Sequence, residues 1–129
     1  MDRRITDPEA AIARLEERRA RFQQAAAATQ DMAARMQALR ATASDANGLA
    51  TVTVDSGGAL IGAEFSSRIS RTAPEAVSRA LMEALAKAKY RIMEQTEAVI
   101  ADTVGADSET GIAVAQSLRA RLGSEGGQP

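Results

Sequence analysis

Cysteine and histidine are both missing from this 129-residue chain. Without cysteine there is no disulfide framework and no thiolate metal site. Without histidine, the usual general base, the commonest metal ligand and the usual partner of a serine nucleophile are gone. Aromatic residues are nearly absent as well: Phe22, Phe65 and Tyr90 are the whole set. Much of the 45% apolar fraction is alanine, which buries little area per residue. That tells against a large core in one copy and makes self-association the expected remedy. No run approaches eighteen apolar residues, so no membrane span is expected. The start, MDRRITDPEA, lacks the apolar stretch of a secretory signal; a cytoplasmic protein is the expectation. Positive charge is not in excess either. The formal net charge is −1, and of 16 basic residues only Lys87 and Lys89 are lysines.

What is there is mostly helix. The length fits one domain. Two stretches, TDPEA at 6–10 and TAPEA at 72–76, place a Thr three residues before a Glu with a Pro between them. This is the pattern of a capping box with proline in the first turn, and it predicts helix starts at Thr6 and Thr72. The first helix is expected from Asp7 to about Ala43. Leu15, Arg18, Phe22, Ala25, Thr29, Met32, Met36 and Leu39 fall at spacings of three and four, a coiled-coil seam that Arg18 and Thr29 interrupt. SDANG, residues 44–48, ends it with turn formers.

LATVTVDSGGALIGAEF, residues 49–65, reads as a hairpin. Ala50, Val52 and Val54 alternate with polar residues, as do Ile61, Ala63 and Phe65, and DSGG supplies the turn. A second helix is expected from Pro74 to Val104, capped by Gly105, with an apolar stripe of Val77, Leu81, Leu85, Ala88, Ile92 and Val99. Residues 106–129 read as a separate extension. It holds a short amphipathic helix through Ile112, Ala115, Leu118 and Leu122, then a disordered tail, GSEGGQP.

The motifs that carry chemistry are few. Gly57 and Gly62 have the outer spacing of a phosphate loop, but Ala63 stands where lysine is required and a strand follows instead of a helix. Glu94, Glu97, Asp102, Asp107 and Glu109 gather near the end of the second helix without calcium-loop spacing; a solvated helix face is the ordinary explanation. Ser56, Ser66 and Ser67 have no base to activate them. No enzyme, cofactor, metal site or small-molecule substrate is expected. The arginines say more. Arg14, Arg18 and Arg21 share one helix face by their spacing of four and three, and guanidinium groups suit phosphate. Arg35 lies further along the same helix, and Lys87, Lys89 and Arg91 form a second basic group. The plainer reading is that Glu16 and Glu17 offset the first group and the charges keep a long helix soluble.

In order and length the chain resembles the YbaB/EbfC family of nucleoid-associated DNA-binding proteins, over roughly residues 10–105. The resemblance rests on FQQAAAATQDMAARMQAL, then GLATVTVDSGG, then an I-x-x-x-x-F strand, then VSRALMEALAKAKYRIMEQTEAVI. It implies a small bacterial protein of α+β class, with an α-β-β-β-α core and a small antiparallel sheet between two long helices. It also implies an intertwined homodimer located at the nucleoid. It implies a third strand, whose likeliest source is ATASD at 41–45. Within that frame Val52, Val54, Ile61, Phe65, Leu81, Leu85 and Ile92 are the core or dimer-interface candidates. Duplex DNA is the implied partner, with Arg14, Arg18, Arg21, Arg35, Lys87, Lys89 and Arg91 as its contacts and little base readout. The second reading is a homodimeric adaptor or chaperone-like protein, an accessory to a secretion system. There Met32, Met36, Met82 and Met93 would offer an adaptable surface to another protein's helix.

Overall fold

The computed structural model describes residues 7–126, with side chains through residue 123. In chain order these form α1 (Pro8–Gln37), β1 (Ala41–Ser44), β2 (Ala50–Val54), β3 (Leu60–Phe65), a 3-10 turn (Ser67–Arg71), α2 (Pro74–Thr103) and α3 (Glu109–Gly126). The class is α+β, and the sheet is an antiparallel meander in the order β1-β2-β3.

α1 is built from strong helix formers, with its single proline at the first position. Its N-cap is Asp7, whose Oδ1 accepts from the amides of Glu9 (3.1 Å) and Ala10 (3.3 Å); the expected cap Thr6 lies outside the described residues. The helix stops at Gln37, short of the predicted Ala43. Ala41–Ser44 leaves the helix because it gains more as a strand. Ala41 and Ala43 are buried, while Thr42 and Ser44 share hydroxyl hydrogen bonds with Thr53 (2.8 Å) and Thr51 (2.7 Å) of β2. Tertiary pairing here overrides alanine's helix preference. The predicted box at Thr72 is also not made. α2 is capped by Ala73 without a side-chain bond, and Thr72 Oγ1 donates instead to the Arg68 carbonyl (2.7 Å). The far end of α2 is as expected, with Gly105 at a φ of 90° just past the Val104 cap.

Both turns of the meander use one device. Asp45 Oδ1 accepts from the Ala50 amide (2.8 Å) and Oδ2 from the Asn47 amide (3.1 Å). Ten residues on, Asp55 Oδ1 accepts from the amides of Gly57 and Ala59, both at 2.9 Å. Three residues after each aspartate a glycine takes a left-handed conformation, Gly48 at φ 69° and Gly58 at φ 85°, which a side chain would oppose.

α2 lies across β1 and β2. Ala80, Ala84, Ala88 and Ile92 repeat every four residues and meet Ala41, Ala43, Ala50, Val52 and Val54. The alanines, more than the predicted Val77, Leu81 and Leu85, form the deepest row; those three are only half-buried. Small side chains let the helix approach the sheet closely. A second cluster joins Met32 of α1 to Val99 and Ile100 of α2. α3 follows α2 and belongs to the same body. Leu118 and Leu122 are buried in the sheet–helix core, and Ile112 of the predicted stripe is exposed. A Cβ on Gly58 would meet Leu122 Cδ2 at 2.2 Å, so α3 closes on the β2–β3 turn itself. The predicted disordered tail is in part helix, since α3 runs through Gly126; residues 127–129 lie outside the described residues.

Of the core candidates, Val52, Val54 and Ile92 are fully buried, whereas Ile61 and Phe65 stay exposed at 53% and 43% in the single chain. The reason is coverage. α2 shields β1 and β2 and leaves β3 bare.

Candidate functional site

α1 is about 45 Å long, and only its last third is seated. Met32 is buried, with Ala28, Met36 and Leu39 half-buried; every residue from Ile12 to Ala27 is exposed. The seated part meets the C-terminal end of α2, through Val99, Ile100 and the Arg35–Asp102 ion pair (3.2 Å). The free part therefore overhangs that end of the body.

The overhang carries Arg14, Arg18 and Arg21. Arg14 and Arg18 each stand eighteen residues before a residue of the seated face, Met32 and Met36, and Arg21 follows Arg18 by three on the same side. Eighteen residues are five full turns, so the arginines occupy the same side of α1 that packs lower down. They look across the space beyond α2, where no element covers them. Among the described residues they make no hydrogen bond or ion pair. Beside them runs an apolar strip with Leu15 at 61% and Phe22 at 71% exposure. Periodicity placed Leu15 and Phe22 in a seam; that they lie uncovered in one chain was not visible from spacing alone.

The other basic candidates are engaged elsewhere. Arg35 holds Asp102 and lies 3.8 Å from Asp31. Lys87 pairs with Glu83 at 2.9 Å and donates to the Ser44 carbonyl at 3.4 Å, while Arg91 donates to the Thr42 carbonyl. Glu83 in turn accepts from the Ala46 amide at 2.8 Å. These three side chains of α2 grip the outer edge of β1. Lys89 is half-buried and has a partner of its own. The seven candidates thus divide into a free trio on α1 and a structural set around the body.

Two carboxylates are held below their ordinary values. Asp45 is lowered chiefly by the Ala50 amide, and Glu83 chiefly by its hydrogen bond from Lys87, then by the Ala46 amide. Asp45 lies in the β1–β2 turn and Glu83 on α2 beside it, away from the overhang. Within the acidic group on α2, Glu97 faces Arg119 at 4.0 Å and Asp102 faces Arg35; among the described residues no three acidic groups converge as metal ligands. Gly57 lies in the β2–β3 turn and Gly62 within β3, with no helix N-terminus beside them. Ser66 caps the 3-10 turn by accepting from the Arg68 amide at 3.1 Å. Among the described residues, no helix is long and apolar enough to cross a membrane.

Residues 13–106 match the model of the YbaB/EbfC DNA-binding family. The matched span takes in most of α1, the whole sheet and α2, and stops before α3. No curated protein and no solved structure is a match for the chain.

Proposed function

Because this chain belongs to the YbaB/EbfC DNA-binding family, we propose that it is a nucleoid-associated, non-enzymatic protein that binds duplex DNA as a homodimer through the arginines of α1. The observation that supports this reading is the free trio. Arg14, Arg18 and Arg21 share one face of an overhanging helix and have no partner among the described residues. The chain's net charge of −1 means that attraction to phosphate must come from a local patch. Two copies bring six guanidinium groups. Such contacts neutralise phosphates and release counterions, with little reading of base edges. Arginine suits this role because its planar fork meets phosphate oxygens two at a time.

The test is a titration of a random-sequence duplex at two salt concentrations. Six phosphate contacts predict a loss of roughly a thousandfold in affinity between about 50 and 200 mM salt. Changing Arg14, Arg18 and Arg21 together to Ala is expected to abolish most binding and flatten the salt slope. Wild-type protein that fails to bind at the lower salt would overturn the reading. That result would favour the second one, an adaptor that receives a protein helix, for which the exposed Leu15 and Phe22 are the supporting observation.

A further inference from the structure

The family span stops at residue 106, and α3 begins beyond it at Glu109. α3 is nonetheless fastened where α1 is seated. One side of it, with Gly111, Val114, Ala115, Leu118 and Leu122, is buried or half-buried, at the three- and four-residue steps of a packed helix face. Leu118 and Leu122 go to the sheet–helix core. Val114 and Ala115 go elsewhere, against the cluster of Met32, Val99 and Ile100 that holds α1. We propose that α3 is a buttress for the arginine-bearing helix, with Gly111 and Val114 as positioning residues that fix the seat of α1 and so the direction of its overhang.

The joint between α2 and α3 is tightly made. The Gly105 amide donates to the Ile100 carbonyl at 2.8 Å, and the Gly105 carbonyl accepts from the Ser108 amide at 3.3 Å and from its hydroxyl at 2.9 Å. The same hydroxyl accepts from the Gly111 amide at 2.9 Å, and the Ser108 carbonyl accepts from the Ile112 amide at 2.9 Å. Ser108 thereby caps α3 and ties its first turn to the last turn of α2. The approach is close. A Cβ on Gly111 would lie 2.2 Å from the Gly105 carbonyl oxygen and 3.0 Å from Ile100 Cγ2. The first is a backbone atom held twice by Ser108, and the second belongs to the seat of α1. Any side chain at this position must displace α3 or disturb Ile100.

α1 leaves the body beside this corner. Ala28 and Thr29 face Val104, Ser108 and Thr110 across a cleft of about 140 Å³. Small changes at the seat grow along the helix. Arg18 stands fourteen residues before Met32, about 21 Å along the axis, so a tilt of about 10° moves it by about 4 Å. That is enough to part a guanidinium from a phosphate oxygen.

The test compares one substitution at two places in α3 of the full chain. A Cβ at Gly123 meets nothing within 4 Å, so Gly123→Ala is the control for Gly111→Ala. Amide hydrogen exchange across residues 28–37 is expected to quicken roughly tenfold in Gly111→Ala, with residues 50–54 and 80–92 unchanged. Gly123→Ala should match the wild type. Val114→Ala, which removes contact without a clash, should quicken the same segment by a smaller factor, and it decides the matter if Gly111→Ala does not fold. Binding to duplex DNA is the arm that rests on the arginine reading. There Gly111→Ala should lower affinity about tenfold and make the salt dependence shallower, because fewer guanidinium groups meet phosphates at once. Wild-type exchange across 28–37 in the folded variants, or equal quickening in 50–54, overturns the buttress. Quickened exchange with unchanged DNA affinity and salt slope overturns the positioning role. Quickened exchange in a protein whose wild type ignores DNA overturns only the arginine reading.

Discussion

β1 and β3 are edges of the same three-stranded sheet, yet they are finished in opposite ways. β1 lies under α2 and has its outward Thr42 and Ser44 carbonyls occupied by Arg91 and Lys87, with Glu83 on the Ala46 amide just beyond the strand. β3 has neither a helix above it nor side chains along its rim. The difference teaches that the basic residues of α2 have a task that charge counting hides. They occupy carbonyls of an edge that would otherwise be open to another strand.

The largest expected effect separates what each side contributes. Ile92→Ala should lower unfolding free energy by about 2–5 kcal/mol at any protein concentration, because Ile92 is buried within one chain. Phe65→Ala should instead weaken the rise of stability with concentration that a dimer shows. Equal behaviour of the two variants across a concentration series would erase the distinction between the edges.

A smaller effect comes from the turn that starts the guarded edge. Asp45→Ala should lower the urea midpoint, because the amides of Ala50 and Asn47 lose their acceptor. Acid should do the same to the wild type. Asp45 and Glu83 are both lowered in the folded state, from ordinary values of 3.8 and 4.5. Their contribution is then complete above those values and is lost as pH falls through and below them. Urea midpoints measured from pH 6 down to pH 3 should fall mostly below about pH 4.5, and the Asp45→Ala variant should fall less.

The smallest effect on stability, and the most direct on the comparison, is expected from Lys87→Ala combined with Arg91→Ala. Exposed pairs of this sort contribute little, so the melting curve should barely move. The β1 edge would become as bare as β3, and light scattering should then show species heavier than a dimer. A clean dimer would mean that the strand's shortness alone protects it.

Much of this arrangement can be read from residue order. The β2–β3 hairpin follows from alternation around DSGG, and α2 from an apolar stripe between Pro74 and Gly105 that only Thr96 interrupts. β1 was harder to see, because Ala41-Thr42-Ala43-Ser44 continues an alanine-rich helix and is a strand only by virtue of its partner β2. A local signal existed in the repeated aspartate–x–x–glycine turns at 45–48 and 55–58, which mark two turns and hence three strands. Docking of Leu118 and Leu122 was out of reach, since a short amphipathic helix does not specify what it covers. At the candidate site, the shared face of Arg14, Arg18 and Arg21 was readable from spacing. The division of labour between them and Lys87 or Arg91 was not, because it depends on which backbone lies within reach of each side chain.

The five-turn correspondence of Arg14 and Arg18 with the seated Met32 and Met36 makes α1 a shaft that transmits rotation. Nothing but helical phase aims the three guanidinium groups, since no contact holds the overhang from the side. One residue inserted between Ala25 and Ala28 would swing the trio by about 100° around the axis while leaving every packed residue in place. Seven would bring it back to within about 20° and carry it about 10 Å further out. The length of this segment is therefore itself under constraint, although every residue from Ile12 to Ala27 is exposed.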